Sequence, residues 1–372
     1  MKITKAETLH LAVPFVGSYV LAMGATKSDT IIVRIHTDEG IVGLGEGIPV
    51  TPAFGGETCE DIALVIEMYL GPAIVGENPL NLERIQERMD GTVVGRPHAK
   101  AAIISALYDI AGKYLKTPVY NLLGGCYRDR IPVDGNIGIG TAEEMAKQAV
   151  GYIERYGVDT IKMKIGSANY QKDLENVKAM REAVGPDIHL IVDGNQGYRR
   201  TTALKILRKM EKYELQLIEQ PIPKFDLEGM ASLVHALDTP IMADESVFAV
   251  EDVMKVIRMH AADVVNIKLM KCGGIYNAKK LVAACELASL DNFGGAMSES
   301  SIGASAAAHF HASVKNVKYA TEINCGLAGF FRNDDIVKKP LTVEKGFLEV
   351  PKDPGLGMEL DEEKVKKYLV RH

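Results

Sequence analysis

Between Thr160 and Lys271 short apolar runs recur along the chain, and each ends on charged side chains. Thr160 to Gly166 carries Lys162 and Lys164, His189 to Asn195 carries Asp193, and Leu215 to Pro221 carries Glu219. Pro240 to Ser246 carries Asp244 and Glu245, and Val264 to Lys271 carries Lys268. The tips Lys162, Asp193, Glu219, Asp244 and Lys268 follow one another at 31, 26, 25 and 24 residues. A strand of about five residues, a helix of about ten to twelve and two short connections need roughly that length. The spacing therefore predicts successive βα units with buried parallel strands. In a (β/α)8 barrel the carboxyl ends of the strands open on one face. Three carboxylates and three lysines would then share one mouth.

The flanking pattern is different. Lys2 to Val13, Thr30 to Thr37 and Ile41 to Glu46 alternate like antiparallel strands, with Asp38-Glu39-Gly40 as a turn. Glu60 to Leu70, Leu80 to Met89 and Ala99 to Leu115 read as helices, followed by a short helix and the stop Gly124-Gly125. A small sheet followed by helices predicts a separate α+β domain. Ile131 to Asn136 reads as the first barrel strand and residues 142–156 as its helix, with Thr141 and Glu144 as a capping box. Phe293 to Glu299 and Lys318 to Cys325 read as the last two strands, flanking an alanine-rich helix from Ser301 to Ser313. The expected division is a cap at 1–126, a barrel at 127–326 and a C-terminal segment, 327–372, returning to the cap.

Two long connections interrupt the first part. Pro14 to Ser28, with Phe15, Tyr19, Leu21 and Met23, is too long for a hairpin turn, and Pro49 to Gly56 contains Phe54. Loops of this length in compact domains often bind ligands or act as lids.

Composition narrows the function classes. At 372 residues, 47% hydrophobic and 25% charged, the chain fits a globular protein of a barrel plus an accessory domain. A net charge of −6 with no basic stripe argues against nucleic-acid binding. No apolar run reaches eighteen residues, so no membrane span is expected. The N-terminus lacks a signal peptide's apolar core. The five cysteines are scattered without Cys-x-x-Cys spacing, which fits reduced thiols in a cytoplasmic protein and disfavours zinc.

The clustered charges suggest chemistry. Three carboxylates repel one another unless a cation neutralises them, and hard oxygen donors suit Mg²⁺, with Mn²⁺ as the alternative ion. Lys162 and Lys164 point to one side of a strand, where two nearby ammonium groups are expected to depress each other's pKa. Lys268, four strands on, would face them. A carbon acid held between Lys164 and Lys268 could lose a proton to one and gain one from the other, with its enolate stabilised by the metal and Lys162. Ser298 and Glu299 are placed to line the pocket, and Glu245 to orient Lys268 or the metal's waters. His309 and His311 read as structural.

These residues resemble the enolase superfamily, muconate-lactonizing-enzyme subgroup, over essentially the whole chain. Lys162-Met163-Lys164, Asp193-Gly-Asn195, Ile218-Glu-Gln-Pro221, Met242-Ala-Asp-Glu-Ser246 and Lys268 carry the likeness. It implies an α/β fold, a (β/α)7β modified TIM barrel under an α+β capping domain, with Mg²⁺ held by Asp193, Glu219 and Asp244. It implies Lys164 and Lys268 as acid and base, with Lys162 as partner of the substrate carboxylate and enolate. Loops near 15–28 and 49–56 would select substrate through Tyr19, Met23 and Phe54, with Asn195, Ser298, Glu299 and Glu322 lining the pocket.

The implied activity is an isomerase acting on a small carboxylate, with homo-oligomers from dimer to octamer. Thr321-Glu322 resembles the eighth-strand Thr-Glu of muconate cycloisomerases, the first reading of the reaction. Thr239 to Val247 and Asn266 to Lys271 resemble dipeptide epimerases, which carry an Asp-x-Asp pair where this chain has Glu322-Ile323-Asn324. Arg88 to Gly91 resembles racemases and dehydratases of proline derivatives. Epimerase or racemase, then dehydratase, remain alternatives, with a non-catalytic carboxylate-binding barrel the remotest.

Overall fold

The first part of the chain forms an antiparallel meander. Strands β1 (Ile3–Pro14), β2 (Lys27–Thr37) and β3 (Val42–Gly47) pair in that order. The structure, a computed structural model, describes residues 1–16, 27–50 and 56–370. Helix Pro97–Leu115 packs on β3 where Gly43 and Gly45 present no side chain. A Cβ there would lie 2.1 Å from the carbonyl oxygen of Ala106 and 1.9 Å from that of Ala102, so only glycine permits the contact. The helix expected from Glu60 to Leu70 runs from Cys59 to Val65 and continues as a π-helical turn, Ile66–Leu70.

The barrel follows. Strand β4 (Arg130–Pro132) precedes β5 (Gly135–Ile137), β6 (Thr160–Lys164), β7 (His189–Asp193), β8 (Leu215–Glu219), β9 (Ile241–Ala243), β10 (Val264–Ile267) and β11 (Asp291–Gly294). Strands β5 to β11 form one parallel sheet in chain order, as the spacing predicts. The helix Ala142–Tyr156 begins with the expected capping box of Thr141 and Glu144.

Three boundaries differ from expectation. The first barrel strand is divided: Arg130–Pro132 pairs antiparallel with β13 (Phe347–Glu349), which also pairs with β12 (Val343–Glu344), and only Gly135–Ile137 joins the barrel. Pro132 has no N–H to donate, and the pairing changes partner just beyond it. The eighth place is filled by an irregular segment. Val317 bridges Asn292 and Thr321 bridges Val133, both in parallel sense, but Cys325 N–H already turns back to the Glu322 carbonyl at 2.9 Å. Strand β10 stops at Ile267, so Lys268 caps a short helix, Leu269–Cys272, that carries Lys271.

Strand alternation explains how the site is supported. Ile191, Leu217, Met242, Val264 and Phe293 form a buried apolar cluster of their own. Each of the first four lies two positions before Asp193, Glu219, Asp244 or Asn266, hence on the same face. An apolar floor thus sits directly beneath a polar mouth. The larger core fills the space between strands, helices and cap. The C-terminal segment returns to the first part of the chain, where Leu356 N–H donates to Asp109 at 2.8 Å and Leu369 bridges Leu11. Among the described residues no helix is long and apolar enough to cross a membrane.

Candidate active site

Parallel register sets the predicted residues side by side. Lys164 pairs with Asp193 across β6 and β7, and Asp193 pairs with Glu219 across β7 and β8. Asp244 follows directly on β9 and Lys268 on β10. The chain leaves β7, β8 and β11 through residues of positive φ: Asn195 at 37°, Gln220 at 29° and Ser298 at 68°. Such backbone is uncommon outside glycine and clusters at functional sites. At Asn195 the turn lets its N–H donate to Asp193 Oδ1 at 2.9 Å.

Every carboxylate of the trio meets an ammonium group. Lys164 Nζ lies 2.6 Å from Asp193 Oδ2, and Lys268 Nζ lies 2.8 Å from Asp244 Oδ2. Lys162, fully buried, forms ion pairs with Glu219 and with Glu322 Oε1, the latter at 2.6 Å, and stands 3.6 Å from Asp193. Gly295 makes room for this arrangement: a Cβ there would lie 2.0 Å from Asn266 Oδ1 and 2.7 Å from Lys268 Cε.

The pairing governs the proton affinities. Burial alone would lower Lys162, but Glu219, Glu322 and Asp193 outweigh it and hold its ammonium well above the usual lysine range. Burial acts on Lys164 in the same way and Asp193 reverses it, so that its pKa is raised although Lys162 pulls it down. The expected depression of Lys164 by its neighbour Lys162 is therefore present but overruled by Asp193. Lys268 is raised by Asp244 and Glu322 against burial. Conversely, Asp244 is lowered by Lys268 and Lys271 against burial. Glu219 is pushed up to about 8 by burial and by the neighbouring Asp193 charge.

Other predicted residues occupy varied positions. Glu322 turns its carboxylate onto Lys162 and accepts from Asn136 Nδ2 at 2.6 Å. Asn195 also donates from Nδ2 to Glu245 Oε1 at 3.2 Å, and burial pushes Glu245 up to about 7. Ser298 is half-buried, whereas Glu299 is buried and accepts from Met297 N–H at 2.7 Å. Tyr19, Met23 and Phe54 lie outside the described residues. His309 and His311 are buried in helix Ser301–Ala312.

The reading of motifs missed three polar contacts. Asn266 donates from Nδ2 to Glu219 Oε1 at 2.6 Å, Asn136 supports Glu322, and Lys271 Nζ lies 2.5 Å from Asp244 Oδ1. Period-two alternation could have found Asn266, two residues before Lys268, and Asn136, paired with Lys162. Nothing in a strand pattern would have placed Lys271, because it sits on a helix.

Among the described residues no trio of carboxylate, imidazole or thiol groups stands poised as a metal cage. The outward oxygens are drawn onto lysines instead. The donor set nevertheless fits a hard divalent ion: three buried carboxylates from adjacent strand ends, crowded enough to push Glu219 upward.

This fold and site define a barrel enzyme whose mouth combines strand-end carboxylates with lysines on facing strands. The description "Mandelate racemase / muconate lactonizing enzyme, N-terminal domain" matches residues 3–124, and "Enolase C-terminal domain-like" matches residues 144–364. The chain belongs to the enolase superfamily, in its muconate-lactonizing-enzyme subgroup, and is an isomerase. It is 38% identical to N-succinyl-L-Arg/Lys racemase of Bacillus cereus over 372 residues, 100% of this chain and 98% of that protein. The crystal structure of that racemase superposes with a TM-score of 0.94, covering 100% and 99% of the two chains. A dipeptide epimerase of Enterococcus faecalis, solved with Mg and the dipeptide L-Leu-L-Tyr, gives 0.90 at 38% identity, covering 96% and 100%. Muconate lactonizing enzyme of Pseudomonas fluorescens, complexed with muconolactone, gives 0.95 at 32% identity, covering 99% of each.

Proposed function

We propose that this protein racemises or epimerises the α-carbon of an N-acylated amino acid, using Lys164 and Lys268 as its two acid/base groups. The observation that carries the reading is their placement: each lysine leaves a different side of the barrel and meets a different carboxylate of the trio. An N-acylated nitrogen needs no counter-charge. That suits a closing segment in which Glu322 is engaged by Lys162 and Asn136, while Asn324 Nδ2 donates to the Asp134 carbonyl at 2.9 Å. The similarity to N-succinyl-L-Arg/Lys racemase points the same way.

In this reading the substrate carboxylate lies at the strand ends, with Asp193, Glu219 and Asp244 holding Mg²⁺. Bound there, the ion would supply positive charge beside that carboxylate and offset the aspartates that keep the lysines protonated. The neutral amine of one lysine takes the α-proton, and the C–H electron pair passes into the carboxylate as an enolate. The ammonium of the other lysine returns a proton to the opposite face. Lys162, fixed by Glu219 and Glu322, keeps a permanent positive charge beside the developing one. Residues 1–126 would cap the barrel at 127–326, with the loops around Tyr19, Met23 and Phe54 and the residues Asn195, Ser298 and Glu299 shaping the pocket. Glu245 would hold Asn195. We place the enzyme in the cytoplasm as a homo-oligomer without nucleic-acid or membrane partners.

The likeness to muconate lactonizing enzyme favours a second reading, cycloisomerisation of a muconate-type diacid, in which one lysine handles the proton of the lactone's enolate. Proton NMR in D₂O with Mg²⁺ separates the two. Loss of the α-proton signal from N-succinyl amino acids, with dipeptides slower, supports the first. Conversion of cis,cis-muconate to a lactone without α-exchange would replace it by the second.

A further inference from the structure

Each carboxylate of the trio has one oxygen fixed by a donor of the protein frame, and the other turned to a lysine of the mouth. Asp193 Oδ1 accepts from Asn195 N–H at 2.9 Å, while Oδ2 faces Lys164. Glu219 Oε1 accepts from Asn266 Nδ2 at 2.6 Å, while Oε2 faces Lys162. Asp244 Oδ1 accepts from Lys271 at 2.5 Å, while Oδ2 faces Lys268.

The fixing donors have little freedom. Lys271 is 3% exposed and Asn266 is 1% exposed. Besides Asp244 Oδ1, Lys271 Nζ donates to the Asp244 carbonyl at 2.6 Å and the Asn266 carbonyl at 3.1 Å. These contacts use all three donors of an ammonium group. Asn266 is held where Gly295 leaves space for its amide. A hydrogen bond on one oxygen takes up one of its lone pairs and turns the carboxylate, which favours binding a cation through the other oxygen.

That restriction bears on which ion fits. Calcium takes about six to eight oxygens and accepts carboxylates through both oxygens, whereas magnesium is smaller, demands near-octahedral geometry and keeps several waters. We propose that Asn266 and Lys271 are positioning residues that limit Glu219 and Asp244 to one metal bond each, and so set the site for magnesium against calcium. The inference rests on the assignment of Asp193, Glu219 and Asp244 as the metal-binding trio.

Calorimetric titration of substrate-free protein with Mg²⁺ and with Ca²⁺ tests it in the wild type, Lys271→Met and Asn266→Ala, with folding checked by circular dichroism. Removing the Lys271 charge tightens both ions together, so the ratio of the two affinities is the readout. The expected result is a shift of that ratio towards calcium by tenfold or more in each folded variant. A ratio within threefold of wild type, or equal weakening of both ions, overturns the inference and leaves the metal site standing. Should Lys271→Met fail to fold, Asn266→Ala decides alone. A wild type that binds neither ion overturns both the inference and the ligand assignment.

Discussion

Glu46 and Ser300 stand 254 residues apart in the chain and meet where the cap joins the barrel. Ser300 donates its N–H to both carboxylate oxygens of Glu46 at 3.0 Å and its hydroxyl to Oε2 at 2.7 Å. Gly303 N–H adds a bond of 2.8 Å to the same oxygen, and Thr30 donates to the other at 2.7 Å. A cap carboxylate therefore sits at the positive end of helix Ser301–Ala312, fully buried. Glu46→Ala should lower stability by about 2–4 kcal/mol, because it leaves several buried donors without an acceptor. Chemical denaturation checks this; a loss under about 0.5 kcal/mol would place the strength of the joint elsewhere.

The lysine pair makes a stereochemical prediction. With Lys164→Ala, α-proton exchange should fall by at least about 10²-fold for one enantiomer of an N-acyl amino acid and survive in part for the other. Lys268→Ala should show the mirror pattern. Cys285, buried on helix Ile275–Leu287 and remote from the mouth, is the control: Cys285→Ala should leave exchange nearly unchanged. Equal exchange of both enantiomers in the Lys164 variant would remove that lysine from the mechanism.

Metal dependence follows from the same residues. Chelation should abolish exchange and added Mg²⁺ should restore it. Asp193→Asn should raise the Mg²⁺ concentration for half-activity by tenfold or more, since it removes a formal charge from the trio. It also frees Lys164, 2.6 Å away, so some turnover should be lost even at saturating metal. A half-activity concentration equal to that of the wild type would take Asp193 out of the ligand set.

Residues placed by strand alternation were the most legible. Asp193, Glu219 and Asp244 end successive apolar runs, and a parallel barrel leaves such ends only one place to open. Lys162 and Lys164 share a face for the same reason. What stayed hidden depends on contacts distant in sequence or on a change of element. The Glu46–Ser300 joint has no local signal. Lys271 closes an apolar run whose strand stops at Ile267, and it sits on the helix beyond, so its grip on Asp244 could not be foreseen. The split of the first strand after Pro132 and the irregular closing segment depend on which neighbours offer bonds there. The proton affinity of Lys164 runs against expectation because Asp193 raises it by more than the like charge of Lys162 lowers it.

Glu299 predicts the pH dependence of stability. Burial, chiefly, pushes its carboxyl from the usual glutamate value up to about 7. The folded state thus holds the proton over a range where the unfolded chain has released it. Well below the ordinary glutamate value both states are protonated and the group costs nothing. As pH rises towards 7 the unfolded chain gains from ionising while the folded protein resists, so stability falls and then levels off above the folded value. A shift of this size corresponds to about 3 kcal/mol at most. Glu299→Gln removes the ionisation and keeps an acceptor for Met297 N–H. Unfolding free energies at pH 5 and pH 8 should show the variant gaining on wild type by about 2–3 kcal/mol between the two. A difference that does not change with pH would mean that Glu299 ionises in the folded protein as it does in water.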